Sequence, residues 1–147
     1  MHCFFAEPTH SPSVLIGLLT GKMNKVSVHD FGIDNITEAD GLAVGRPSAF
    51  ASGISKLLIS GIYSLEDAEL FRLLYMLGKT ENIFLEPSAT AGLKGPYQIA
   101  KSDYYSKHSI NPAQITHIAW ATGGALVPKD EMAAFYKKGE QLFTKQH

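Results

Sequence analysis

Apolar and polar positions change period repeatedly along this chain, and each change predicts an element. Cys3 to Ala6 is apolar throughout and ends at Glu7-Pro8, which predicts a short buried strand. Ser11-Pro12 opens a helix over residues 13–19, and Gly21 stops it. Val26-Ser27-Val28 reads as an edge strand. From Asp30 to Pro47 the period disappears, and Gly32, Gly41, Gly45 and Pro47 intersperse with Asp34, Asn35 and Asp40. A loop this long inside a compact domain is functional or disordered. Ser48 to Ile59 reads as a helix and Gly61 to Tyr63 as a brief strand. Leu70, Leu73, Leu74 and Leu77 then recur at i, i+3, i+4 and i+7, the pattern of a helix face packed on a core. Ser64 is the expected N-cap of that helix, with Glu66 and Asp67 favouring its N-terminal dipole, and Asn82 suits the left-handed residue that ends it.

Ile83 to Leu85 predicts another strand, ending at Glu86-Pro87-Ser88. A helix interrupted at Gly92, Gly95 and Pro96 follows, reaching about His108. After the turn at Asn111-Pro112, a strand over residues 116–121 leads into Thr122-Gly123-Gly124, and Lys129 to Tyr136 makes a last helix. Strands alternating with helices predict an α/β fold, with a mostly parallel sheet and flanking helices. No linker or shift in composition divides residues 1–147, so one domain is expected.

Composition narrows the function classes. The chain is 45% hydrophobic and 18% charged, with 13 basic and 14 acidic side chains and a net charge of -1. These are globular values, and no basic stripe exists to follow a phosphate backbone, so no nucleic-acid partner is expected. No apolar run approaches the roughly 20 residues of a membrane span, so no membrane partner is expected either. The N-terminus lacks a signal-peptide pattern, and the lone Cys3 fits a reducing compartment, so a cytoplasmic location is expected. The strand-like run at the very start also suggests a chain entered partway through a larger fold.

The chemistry concentrates at strand ends. An apolar run finishing in Trp120-Ala121-Thr122-Gly123-Gly124 reads as a buried strand presenting a hydroxyl to a ligand, with glycines allowing close backbone approach. Phe4-Phe5-Ala6-Glu7-Pro8-Thr9 and Ile83-Phe84-Leu85-Glu86-Pro87-Ser88 echo each other, each ending an apolar strand in a carboxylate and a proline. Ligands of open α/β sheets gather outside the carboxyl ends of strands, so Glu7, Glu86 and Thr122 are expected on one side of the sheet. Two such carboxylates suit a hard cation, or simply a backbone N–H or an arginine. The six histidines, His2, His10, His29, His108, His117 and His147, lack metal-ligand spacing, and His117 reads as a core residue. Cys3 reads as packing, and no Gly-x-Ser-x-Gly elbow or phosphate-binding glycine loop is present. Tyr97, Tyr104 and Tyr105 are spaced for packing on a helix face, while Lys94 and Lys101 read as solvated surface charges.

Five ordered stretches carry a family resemblance: Phe4 to Pro12, Gly32 to Asn35, Ala39 to Arg46, Leu85 to Ala89 and Trp120 to Gly124. Together they resemble the C-terminal third or so of the bacterial D-serine dehydratase (D-serine ammonia-lyase) family. That family belongs to the pyridoxal-phosphate enzymes of fold-type II, whose fold resembles the tryptophan synthase β subunit. The resemblance implies part of a fold-type II large domain and, for the whole enzyme, a lyase turning D-serine into pyruvate and ammonia. Pyridoxal 5'-phosphate would be the cofactor, and an amino acid the substrate. Thr122 would hydrogen-bond the cofactor's pyridine nitrogen, with Gly123 and Gly124 beside the ring and Asp40 and Glu86 in supporting roles. Glu7 would help hold a monovalent cation such as K+, and a second cation ligand would align near Ser13. The family's Schiff-base lysine and phosphate loop lie upstream of the matched region, so this chain alone is expected to be inactive. A separate N-terminal half, or self-association, would cover its exposed core. Two further readings stay open: a related pyridoxal-phosphate L-serine or L-threonine dehydratase or racemase, and a non-catalytic assembly module reusing the scaffold.

Overall fold

The computed structural model describes residues 1–145, and its centre is a two-stranded parallel sheet. Strand β1 (Cys3–Pro8) pairs in register with β2 (Ile59–Leu65), from Phe4 opposite Gly61 to Pro8 opposite Leu65. Parallel neighbours need a long crossover, and here it contains α1 (Ser13–Leu19), α2 (Ala49–Leu58) and the long loop between them. Ser48 caps α2 by accepting the Ala51 N–H at 2.9 Å. The chain then runs through β2 into α3 (Asp67–Glu81), a 3-10 stretch (Pro87–Lys94), α4 (Gly95–Lys101), α5 (Tyr104–Lys107) and α6 (Lys129–Thr144). No helix among the described residues is long and apolar enough to cross a membrane. His147 lies outside the described residues.

The leucine period of α3 points into the interior as expected. Leu70 and Leu74 are fully buried, and Leu70 forms a core with Ala39, Leu65 and Ala91. The neighbouring face of α3 carries Phe71 and Tyr75 against α6, where Phe71 meets Phe135, and Tyr75 meets Tyr136 and Phe143. Gly139 makes this crossing possible, because a Cβ there would stand 2.2 Å from the Phe71 carbonyl oxygen. Asn82 ends α3 in the left-handed conformation, φ 56°. The N-terminus differs from expectation: Glu66 is the N-cap, while Ser64 stays in β2 opposite Glu7. Asp67 instead accepts the Thr37 hydroxyl and the Glu38 N–H, tying the long loop to α3.

That loop is tightly pinned. The Val28 N–H donates to the Gly45 carbonyl at 2.8 Å, the Ser11 hydroxyl to Asn35 Oδ1 at 2.7 Å, and His10 Nδ1 meets Asp34 Oδ1 at 2.8 Å. Val26, Ser27 and Val28 are buried, but they do not form an edge strand. Ser27 caps a 3-10 turn (Val28–Phe31), exchanging hydrogen bonds with Asp30, and this diverts the backbone from any ladder.

Two more predicted strands are absent as strands. Residues 83–85 and 116–121 pair with no ladder among the described residues, which hold only β1 and β2. A strand exists only through a neighbour that takes its N–H and C=O groups, and these segments have none. Consequently Ile118 and Trp120 are 86% and 84% exposed, and His117 is exposed with Nε2 3.3 Å from the Tyr105 hydroxyl, not in a core. Cys3 is likewise exposed. The predicted helix up to His108 is divided into its 3-10, α4 and α5 pieces, and the last helix continues beyond Tyr136 to Thr144.

Candidate functional site

Glu86 closes the extended stretch after α3 and starts the turn that Pro87 nucleates at the first 3-10 position. Segment 123–124 packs directly against it. The Glu86 N–H donates to the Gly123 carbonyl at 3.3 Å, and its carboxylate lies where a Gly123 side chain would begin, 2.5 Å from an ideal Cβ. Gly124 is held against backbone: its φ is +140°, and a Cβ would lie 2.6 Å from Leu85 Cα and 2.8 Å from the Phe84 carbonyl. Only glycine satisfies both the torsion and the approach. The clamp leaves Thr122 exposed at the end of its segment.

Asp40 joins the same corner through its neighbour. The Gly41 N–H donates to Ser88 Oγ at 3.2 Å, and Ala39 and Ala91 share the core beneath. Asp40 itself is exposed, in the first turn of a 3-10 stretch (Asp40–Leu42). Glu86, Gly123 and Gly124 are therefore in contact, Thr122 follows from chain continuity, and Asp40 flanks the group across Ser88.

Glu7 is engaged in a different way. Its Oε1 accepts the Val14 N–H and its Oε2 the Leu15 N–H, both at 2.9 Å, so the carboxylate closes the first turn of α1. Burial pushes its pKa above the ordinary 4.5, and the two N–H donors pull the other way. Ser13, where the second cation ligand would align, is buried, and its hydroxyl has no hydrogen-bond partner. Among the described residues no three His, Cys, Asp or Glu side chains group as metal ligands.

Two residues beyond the expected set hold the stretch that follows Glu86. Tyr63 on β2 donates its hydroxyl to the Ala91 carbonyl at 3.0 Å, fixing the stretch that follows Glu86, and burial pushes its phenol up to about 12. Lys94 is not a free surface charge: it pairs with Glu69 and its ammonium lies 4.6 Å from the centre of the Tyr97 ring. Lys101 is exposed but also sits over Tyr97. The apolar alternation at Tyr63 marked a strand; nothing local in the sequence marked its hydroxyl as the anchor of a segment 28 residues away.

No family model matches the chain. Curated relatives do. A protein named "Probable D-serine dehydratase" from Bacillus cereus (strain B4264) is 53% identical over 145 residues, covering 97% of this chain and 33% of the relative. The chain is homologous to one part of D-serine dehydratase. A second relative of that name, from Bacillus thuringiensis (strain Al Hakam), is 54% identical over the same share of the chain and is covered over 32% of its length. The chain thus spans about a third of the length of the D-serine dehydratases it matches. Among solved structures, the processed form of threonine deaminase isoform 2 from Solanum lycopersicum aligns with a TM-score of 0.68 at 19% identity, over 94% of this chain and 36% of that one. Maize serine racemase aligns with a TM-score of 0.61 at 19% identity, over 92% and 39%. These alignments establish the fold: an α/β architecture shared with about a third of each of those two chains.

Proposed function

We propose that this chain is the C-terminal part of a D-serine dehydratase, acting with the remaining two thirds of that enzyme to convert D-serine into pyruvate and ammonia. The observation that carries the reading is 53% identity to a D-serine dehydratase across nearly the whole chain. The Thr122–Gly124 corner fits a pyridoxal phosphate ring. Its two glycines are pressed flat against residues 84–86, and a neutral hydroxyl stands next to them. When bound, the cofactor supplies an electron sink for bonds at the substrate's α-carbon.

Thr122 would offer its hydroxyl to the pyridine nitrogen of that cofactor. Being neutral, the hydroxyl would not hold the nitrogen protonated as a carboxylate would, which would moderate the sink and suit loss of the β-hydroxyl as water. Gly123 and Gly124 let the backbone beside Thr122 sit tight on residues 84–86. Glu86, packed on Gly123, fixes the height of that surface, and the Asp40 turn borders it. The amine and the phosphate cradle that anchor the cofactor belong to the complementary part. Glu7 serves this reading first as the cap of α1, and a cation role would have to share the carboxylate with two N–H donors.

The test joins the missing two thirds of the Bacillus cereus relative to this chain. The joined protein with pyridoxal phosphate should release pyruvate from D-serine, and this chain alone should release none. Thr122→Val in the joined protein should lower kcat about 100-fold, on the scale of losing one preorganised hydrogen bond to a reacting centre. Turnover by this chain alone, or turnover of L-serine in place of D-serine by the joined protein, would overturn the assignment.

A further inference from the structure

Helix α2 is packed inside out. Its buried residues are Ser52 and Ser55, whereas Phe50, Ile54, Leu57 and Leu58 are 79%, 41%, 81% and 68% exposed. At roughly 100° per residue the two serines fall on the side of the helix opposite Phe50, Ile54 and Leu57. The serine face is used: α2 packs against α1 and the 3-10 turn Met23–Lys25, and Ser52 Oγ donates back to the Ser48 carbonyl at 2.8 Å. Among the described residues, most of the apolar face stays in water. A contiguous exposed apolar stripe on an ordered helix marks an interaction site.

We propose that this stripe is the docking face for the complementary two thirds of a D-serine dehydratase chain, an inference that rests on the function proposed above. Two observations favour that occupant over a second copy. A ten-residue helix is about 15 Å long, and four side chains on it fall short of the roughly 800 Å² each partner contributes to a standard interface. The stripe is also not the only uncovered region, since Ile118, Trp120 and Leu126 are 86%, 84% and 97% exposed on the segment leading to α6. A partner twice the length of this chain reaches both regions, and α2 lies within the alignment with relatives three times as long.

The experiment co-expresses this chain with a tagged polypeptide comprising the part of the Bacillus cereus relative outside the match. The wild-type chain should copurify with it, and the double variant Phe50→Asp/Leu57→Asp should lower copurification at least tenfold while leaving the circular dichroism and melting of the isolated chain unchanged. Copurification unaffected by the double variant would overturn the proposal. So would a dimer of the isolated chain, seen by light scattering, that the double variant dissolves. If the two polypeptides do not assemble in trans, hydrogen exchange on the single joined protein decides: exchange at residues 53–58 slowed at least tenfold relative to this chain alone supports the docking face, and equal exchange overturns it. Assembly without turnover of D-serine would sink the functional reading and leave the docking face standing. Turnover by an assembly indifferent to the double variant would do the reverse.

Discussion

Helices α2 and α3 are written in the same code and end in opposite environments. Both carry apolar residues at helical spacing: Phe50, Ile54, Leu57 and Leu58 on α2, and Leu70, Leu73, Leu74 and Leu77 on α3. On α3 the period meets Ala39, Leu65 and Ala91 and closes a core, while α6 covers the adjacent face through Phe135 and Tyr136. On α2 the period faces outward and serines face in. Periodicity states that one face of a helix will be covered. It does not state by what, because the hydrophobic effect rewards removal from water and is indifferent to whether the cover comes from the same chain.

The contrast can be broken most forcefully from the α3 side. Leu74→Ala removes a fully buried side chain and should destabilise the fold by about 2–5 kcal/mol, read as a lowered urea midpoint. A midpoint within error of wild type would mean that α3 is no better packed than α2. Gly124→Ala probes the glycine clamp in place of a helix. With φ +140° and a Cβ 2.6 Å from Leu85 Cα, it should cost about 1–3 kcal/mol and expose Thr122–Gly124 to faster proteolysis. Proteolysis at the wild-type rate would show that the clamp does not constrain this segment.

Glu7→Ala leaves the Val14 and Leu15 N–H groups without their acceptor, a loss of about 1–3 kcal/mol by thermal or urea melting at pH 7. The pH dependence has a definite sign. The folded-state pKa of Glu7 is raised, so the folded chain holds this proton more tightly than the unfolded one. Glu7's contribution therefore improves as pH falls through its folded pKa toward the ordinary 4.5, and Glu7→Ala should lose that acid-side gain. An identical pH profile in the variant would place the titration elsewhere.

Smaller effects complete the comparison. Leu57→Ala should shift the stability of the isolated chain by less than about 0.5 kcal/mol, an order of magnitude below the effect of Leu74→Ala, since its side chain is already in water. The exposed His10–Asp34 pair should give the mildest response. The Asp34 hydrogen bond holds the His10 pKa above the ordinary 6.5, so the pair's stabilisation is complete below about 6.5 and fades as pH rises through the raised value. Backbone hydrogen bonding, together with His10, holds Asp34 below 3.8, and so the benefit also fades in strong acid. Asp34→Asn should flatten both limbs, measurable as melting temperature against pH.

The legible parts of the fold were those whose hydrogen bonds close locally. α1, α2, the leucine face of α3 and its Asn82 terminus all appear at or near the expected residues, because a helix satisfies its own backbone within four residues. β1 and β2 were legible because the chain carries both partners. Segments 83–85 and 116–121 have strand-like sequences and no strand, because a ladder needs a neighbour that this chain does not present to them. His117 and Cys3 were expected inside for the same reason: burial was inferred from a sheet that here has only two strands.

Five ordered stretches, from Phe4–Pro12 to Trp120–Gly124, sufficed in the sequence for the resemblance to the D-serine dehydratase family, and the alternation of strand-like and helical segments pointed to an α/β fold. Residue types and spacing carry that information, since they record which side chains a ligand needs. Tertiary structure alone decided that Glu86 packs on Gly123 while Glu7 turns away to cap α1, although the two share one local sequence pattern. It also decided that Tyr63 anchors the segment after Glu86, that Lys94 pairs with Glu69, and that α2 turns its apolar face outward. Each of these depends on which group, distant in sequence, arrives to satisfy a hydrogen bond or exclude water, and no local pattern names that partner.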